Sequence, residues 1–233
     1  MRIIIMFLII VVVFTIIPNN VHADPIVAEP PIGTIIIATS IIGGASVLTY
    51  FLIDHFIDIS RLKNIQFSSE DVSIYINSNN VQVEGKYYFK NTDTSDREIE
   101  LKFPFFVDEG VGSPTEISVY VDGELIHYFK KAGDEVKFKV LLPARSEKEV
   151  TVTFNQPCLN GNYTYILTTV KKWGRPLETA RFSIYTDGVI TDVVSSYPLS
   201  QQIDDEGTRY YVMTQENFMP DKDLMIKWNS ENK

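Results

Sequence analysis

Two patterns of apolar residues divide the chain. From Ile3 to Ile17, and again from Ile32 to Ile53, residues run on without a charge; from about residue 65 apolar positions alternate with polar ones. Unbroken runs suit helices in apolar surroundings, whereas a period of two suits strands with one face on a core. The first run has Arg2 before it, Pro18 after it, and Val21-His22-Ala23 ahead of Asp24. That is the pattern of a signal peptide over residues 1–23. Fifteen residues of helix rise only about 22 Å, short of a hydrocarbon core of about 30 Å. The alternative is an uncleaved first anchor.

A proline-marked spacer, residues 24–31, leads to the second run. Its 22 residues, 32–53, would rise about 33 Å and predict a transmembrane helix, with residues 54–64 as a juxtamembrane linker. Thr39 and Ser40 stand four positions before Gly43 and Gly44, a spacing at which two such helices can pair closely. Arg61 and Lys63 fit a cytoplasmic flank, and both single-pass and two-pass topologies then place the C-terminal part inside. The Asn162-Tyr163-Thr164 sequon and the Tyr- and Thr-rich strands argue for the opposite side, so the sequence leaves the side open. His55, between Asp54 and Asp58, reads as a membrane-edge residue.

Residues 65–233 carry the alternation. Val81, Val83, Gly85, Tyr87 and Phe89 face one way and Gln82, Glu84, Lys86, Tyr88 and Lys90 the other. Ile99 to Phe103, Ile117 to Val121, Phe138 to Val140, Val150 to Phe154 and Phe182 to Ile184 repeat the pattern, with turn residues between them. Asp122-Gly123 joins two runs at the spacing of a type I′ hairpin. His127, within Leu125 to Phe129, reads as a strand residue. With no amphipathic helix between the strands, the expected fold is all-β: an antiparallel, immunoglobulin-like β-sandwich. It is one domain or, if residues 156–162 are a linker, two sub-sandwiches.

Charge and chemistry narrow the function. Residues 61–233 hold 20 Lys and Arg against 26 Asp and Glu, a net charge of −6, with no basic stripe, so nucleic acid is not an expected partner. No nucleophile–base set, nucleotide loop or His/Cys cluster is apparent, and no catalytic residue, cofactor or metal is assigned. Cys158 reads as a small apolar filler. The acidic groups Asp93/Asp96/Glu98, Asp204-Asp205-Glu206 and Asp221/Asp223 read as solvated loops, with calcium binding or carboxylate catalysis as the alternative. Trp173 reads as the cover of a sandwich end, and Trp173 with Tyr163 and Tyr165 as an alternative aromatic surface platform.

Two stretches resemble a known family. Ser69-Glu70-Asp71-Val72, Tyr87-Tyr88-Phe89-Lys90-Asn91 and Phe103-Pro104, followed by Tyr165-Ile166-Leu167-Thr168-Thr169, Trp173 and Pro176 to Phe182, are similar to motifs of an uncharacterised, mostly bacterial exported family. The "F-x-N … F-P" portion is also similar to the start of the vault/inter-alpha-trypsin domain. Phe105-Phe106 replaces the family's Leu-Pro, and the second apolar run is additional. The resemblance implies a β-sandwich and an envelope location and brings no active site. Asn91 is expected to cap a turn and Pro104 to end a strand, on their own chemistry. The combined expectation is a membrane-anchored, non-catalytic binding module whose partners are the bilayer and an unidentified envelope component. Its rivals are an envelope hydrolase using loop carboxylates and a structural subunit, possible as a homo-oligomer, assembling through its apolar helix.

Overall fold

Alternation becomes pairing in the computed structural model, which describes residues 64–230 apart from Tyr128 and Glu206. The signal peptide, spacer and transmembrane span, with Thr39, Ser40, Gly43 and Gly44, lie outside the described residues. Among the described residues no helix is long and apolar enough to cross a membrane. The strands are β1 (Ile65–Ile76), β2 (Asn80–Asn91), β3 (Arg97–Pro104), β4 (Thr115–Val121), β5 (Glu124–Leu125), β6 (Lys130–Ala132), β7 (Glu135–Leu142), β8 (Glu147–Pro157) and β9 (Asn162–Tyr165). After one 3-10 turn (Thr168–Trp173) follow β10 (Leu177–Thr186), β11 (Ile190–Ser195), β12 (Ser200–Ile203), β13 (Arg209–Phe218) and β14 (Leu224–Ser230). The fold is all-β.

Eight strands form one sheet in the order β12-β13-β10-β1-β2-β8-β4-β5, and two three-stranded sheets, β11-β14-β9 and β3-β7-β6, accompany it. Both small sheets lie on the same face of the large one. From β3 and the segment after it, Phe103 packs on Tyr87 of β2, and Phe105 on Phe154 of β8 at 4.9 Å between ring centroids. From β9, Tyr165 meets Phe182 of β10 edge-on at 5.7 Å. The result is a two-layered, β-sandwich-like body with one continuous buried cluster drawn from all three sheets. Val72, Ile74, Val81, Val83, Val152, Phe182 and Ile184 supply its floor, and Leu142, Leu224 and Ile226 are among its roof. Each such side chain withdrawn from water contributes about 1.5–3 kcal/mol before chain entropy is charged against it.

One pairing departs from the antiparallel expectation. β1 runs parallel to β10, with Val72 opposite Phe182 and Tyr75 opposite Tyr185, while every other pairing among the described strands is antiparallel. A parallel pair needs a long crossover, and here β2, β4, β5 and β8 of the same sheet intervene in the chain. Local turn chemistry holds as expected. Asp122 (φ 49°) and Gly123 (φ 82°) both adopt positive φ between the β4–β5 partners Val121 and Glu124, the requirement of a type I′ turn. Asn91 closes its turn by donating to the carbonyls of Ser95, Leu142 and Pro143 and accepting from Asp93 N–H. Pro104 is the last residue of β3. His127, by contrast, lies beyond β5 in an exposed loop, because pairing of that strand with β4 stops at Leu125.

Candidate binding surface

The large sheet has two faces, and among the described residues both small sheets lie on one of them. The inner face carries the core. The outer face is built by the alternate residues of the same strands, and the register sets them in straight rows. One row reads Gln202, Tyr210, Tyr185, Tyr75, Gln82 and Asn155 across β12, β13, β10, β1, β2 and β8. Its three tyrosines stack: Tyr75 on Tyr185 at 4.8 Å and Tyr185 on Tyr210 at 5.1 Å, with 13° between ring planes in both pairs. Such face-to-offset spacing is favourable for aromatic rings. Tyr210 O–H donates to Gln202 Oε1 at 2.8 Å, which ties the row to the edge strand. Partial burial in the stack pushes the Tyr185 hydroxyl above its ordinary value, so the ring stays neutral at physiological pH.

The next row on this face is Ser200, Val212, Ser183, Ser73, Glu84 and Thr153. The outer face thus carries mostly polar side chains around an aromatic strip, although Ser183 and Val212 on it are buried. Beside Tyr75 the face dips into a cleft of about 270 Å³, lined by Tyr75, Asn77, Asn80, Gln82, Tyr185 and Asp187 among others. Two turns shape it. Asn77 Oδ1 accepts the N–H groups of Asn79 and Asn80 at 3.1 and 2.9 Å, which closes the β1–β2 hairpin. Asp187 N–H donates to Ile76 O at 3.2 Å and fixes the end of β10 to the end of β1.

Of the aromatic platform expected at Trp173, Tyr163 and Tyr165, only Trp173 reaches the surface, and it is half-buried. Tyr163 and Tyr165 are 2% and 5% exposed, because the Tyr-Thr-Tyr alternation on β9 turns both rings to the inner layer. Trp173 covers one end of the layers against Phe67 and Phe89. Around Tyr165 lies a buried polar group instead. Its hydroxyl meets that of Tyr87 at 2.6 Å, and Tyr87 is the β2 partner of Glu70. Glu70 is buried, its Oε1 has no hydrogen-bond partner among the described residues, and burial pushes its carboxyl up to about 8. A Cβ on Gly85 would fall 1.9 Å from Tyr87 Oη, so only glycine leaves room for this ring.

The acidic loops do not converge. Asp204 accepts Thr208 N–H in the turn before β13, while Asp221 and Asp223 follow its far end. Ten residues of strand separate them, about 30 Å at about 3.3 Å per residue. Asp223 Oδ1 accepts the N–H groups of Leu167 and Thr168 at 2.9 Å, and Asp221 accepts Tyr197 O–H, so both serve the fold. The hydrolase reading that needs Asp204, Asp205, Asp221 and Asp223 in one pocket is therefore overturned. Asp93 is paired with Arg97, whose guanidinium holds its carboxyl down to about 2. Asp96 accepts Ala144 N–H, and Glu98 binds Lys139 at 2.6 Å. Among the described residues no group of three or more His, Cys, Asp or Glu is placed to hold a metal. Cys158 is buried, donates to Asn162 O, and has its thiol pushed up to about 11 by burial, far from a reactive thiolate.

Neither the family models nor the curated proteins yield a match to this chain. Solved structures do. A Legionella pneumophila protein provisionally described as nutrient-binding superposes with a TM-score of 0.57 at 14% identity, over 71% of this chain and 67% of that one. An M1 zinc metallopeptidase from Deinococcus radiodurans (TM-score 0.46, 8% identity, 70% of this chain) and a two-domain M1 zinc metallopeptidase mutant bound to L-tryptophan (0.47, 7%, 71%) also align. This chain spans only 42% and 43% of those two. The first likeness concerns the fold alone, and the two weaker ones carry no argument.

Proposed function

We propose that the protein is a membrane-anchored, non-catalytic binding module of the cell envelope. Residues 1–23 serve as its signal peptide and 32–53 as its transmembrane helix, and the outer face of the eight-stranded sheet meets the partner. The observation that carries this reading is that face: the described residues leave it unroofed, yet it bears an in-register tyrosine strip flanked by amides. Three large rings in register add a little cross-strand stability, but together they also form an exposed aromatic strip of the kind that marks an interaction surface. The nutrient-binding description of the Legionella protein supports a binding role by analogy, and the resemblance to an exported family supports the envelope. Pairing through Thr39, Ser40, Gly43 and Gly44 would add avidity by doubling the surface.

The test is photo-crosslinking in intact host cells, from a benzophenone amino acid at Tyr210 on the outer face and at exposed Leu141 on a small sheet. Discrete adducts from position 210 and not from 141 are expected. Equal or absent labelling from both would end this reading. Protease treatment of the same cells reports the side of the membrane, and N-terminal sequencing reports whether Asp24 begins the processed chain.

A further inference from the structure

Resting on that reading of the outer face, we propose that the cleft beside Tyr75 binds a neutral saccharide, one sugar ring lying on the free face of Tyr75. The stack makes the two faces of this ring unequal. One is covered by Tyr185 at 4.8 Å; the other is turned toward β2, where Gln82 is the register partner. Tyr75 is 42% exposed although its strand is central in the sheet. An aromatic face with negative quadrupole is complementary to the weakly positive C–H face of a pyranose. The edge of the sugar then needs groups that both donate and accept. Gln82 and Asn80 are amides that do both, Asn77, whose Oδ1 already accepts Asn79 and Asn80 N–H, adds only a donor, and the Gln82 amide makes no hydrogen bond among the described residues.

Charge argues against anions and metal ions. The cleft lining contains no Lys or Arg and one carboxylate, Asp187, so an anion such as phosphate would meet no counter-charge. Asp187 Oδ1 already accepts Val189 N–H, and a single carboxylate falls short of the oxygen set that a divalent cation needs. Size is also restrictive: about 270 Å³ lies just below the range of about 300–1,000 Å³ typical of drug-sized ligands, which suits one ring. The strip continues the site. From Gln82 to Gln202 the row crosses β2, β1, β10, β13 and β12, about 19 Å at a strand spacing of about 4.8 Å; both faces of Tyr185 are taken by its neighbours, so further sugar units would meet ring edges and hydroxyls rather than a second stacking face.

The experiment is a titration of the full chain, isotope-labelled in a detergent without a sugar headgroup, with maltotriose, cellotriose and chitotriose, read by NMR at the Gln82 and Asn80 side-chain amides and the Tyr75 ring. At least one trisaccharide is expected to move these signals saturably at micromolar to millimolar concentration. Tyr75→Ala should weaken it at least tenfold, Gln82→Ala severalfold, and Tyr75→Phe, which keeps both faces, hardly at all. Silence of all three sugars at millimolar concentration, or binding that survives Tyr75→Ala, overturns the proposal. If the sugars are silent while crosslinks from position 210 identify a protein partner, the saccharide inference fails and the binding-module reading stands. If sugars and crosslinks are both silent, the two fall together.

Discussion

The two faces of the eight-stranded sheet come from the same strands and differ in every physical respect. On β1, Val72, Ile74 and Ile76 go inward while Asp71, Ser73 and Tyr75 go outward; on β10, Phe182 and Ile184 oppose Arg181, Ser183 and Tyr185. The inner face is closed and, among the described residues, carries two buried side chains with an unpartnered oxygen, Glu70 and Gln156. The outer face is open and carries aromatic rings with neutral amides. Side chains one position apart therefore answer to different demands, one to folding and one to what the surface meets. Substitution should separate them.

The largest effect is expected inside. Phe182→Ala leaves a cavity in the centre of the floor and should cost about 3–5 kcal/mol in denaturant unfolding, whereas its outward neighbour Tyr185→Ala should cost under about 1 kcal/mol, the worth of its cross-strand pairs. Equal losses at the two positions would mean that the outer face is also covered. Next in size is the pH dependence set by Glu70. Its folded value of about 8 stands above the ordinary 4.5, so the folded state holds the proton more tightly than the unfolded chain. Its contribution is complete below pH 4.5 and is lost as pH rises toward 8, with a slope of at most about 1.4 kcal/mol per pH unit. Glu70→Gln should flatten that part of the curve in unfolding measured from pH 4.5 to 8; an unchanged slope would place its origin elsewhere.

Gly85→Ala is a smaller inner perturbation. The added methyl must displace the Tyr87 ring from Tyr165, for an expected loss of about 1–3 kcal/mol, visible also as a change in the near-ultraviolet dichroism of the buried tyrosines. The smallest effect sharpens the contrast from outside. Gln82→Ala should change stability by less than about 0.5 kcal/mol in the same unfolding assay, as expected of a surface position without a fold partner.

Much of the fold could be read from the chain. Period-two runs marked β2, β3, β4, β7, β8 and β10, and Asp122-Gly123 marked its hairpin, because these are local consequences of side-chain direction and φ. Asn91 and Pro104 were legible for the same reason. The parallel β1–β10 pairing was not, since alternation along a strand says which way residues face and nothing about the neighbour across it. β13 escaped because Tyr210, Tyr211, Val212 and Met213 form an apolar run with no polar alternation, the outer face there being aromatic. The candidate surface was hidden for a related reason. Tyr75, Tyr185 and Tyr210 lie on three strands far apart in sequence, and only register makes them a strip. Tyr163 and Tyr165 misled by composition: amid Asn and Thr they look solvated, yet their spacing of two gives them one shared face, and that face is the core.

The β1–β10 pairing has a consequence in time as well as space. Its register partners Ser69 and Thr179 are 110 positions apart, and β10 in turn carries β13. Contacts of such sequence separation close slowly, after loop entropy has been spent. At a synthesis rate of about 5–20 residues per second, β1 waits on the order of 5–20 s for the strand that completes it. Throughout that interval the edge of β1 stands open beside β2, joined only late by β8, offering unpaired N–H and C=O groups to any neighbouring chain. The protein is thus most exposed to misassembly during its own biogenesis, along the strand edge that the finished sheet conceals at its centre.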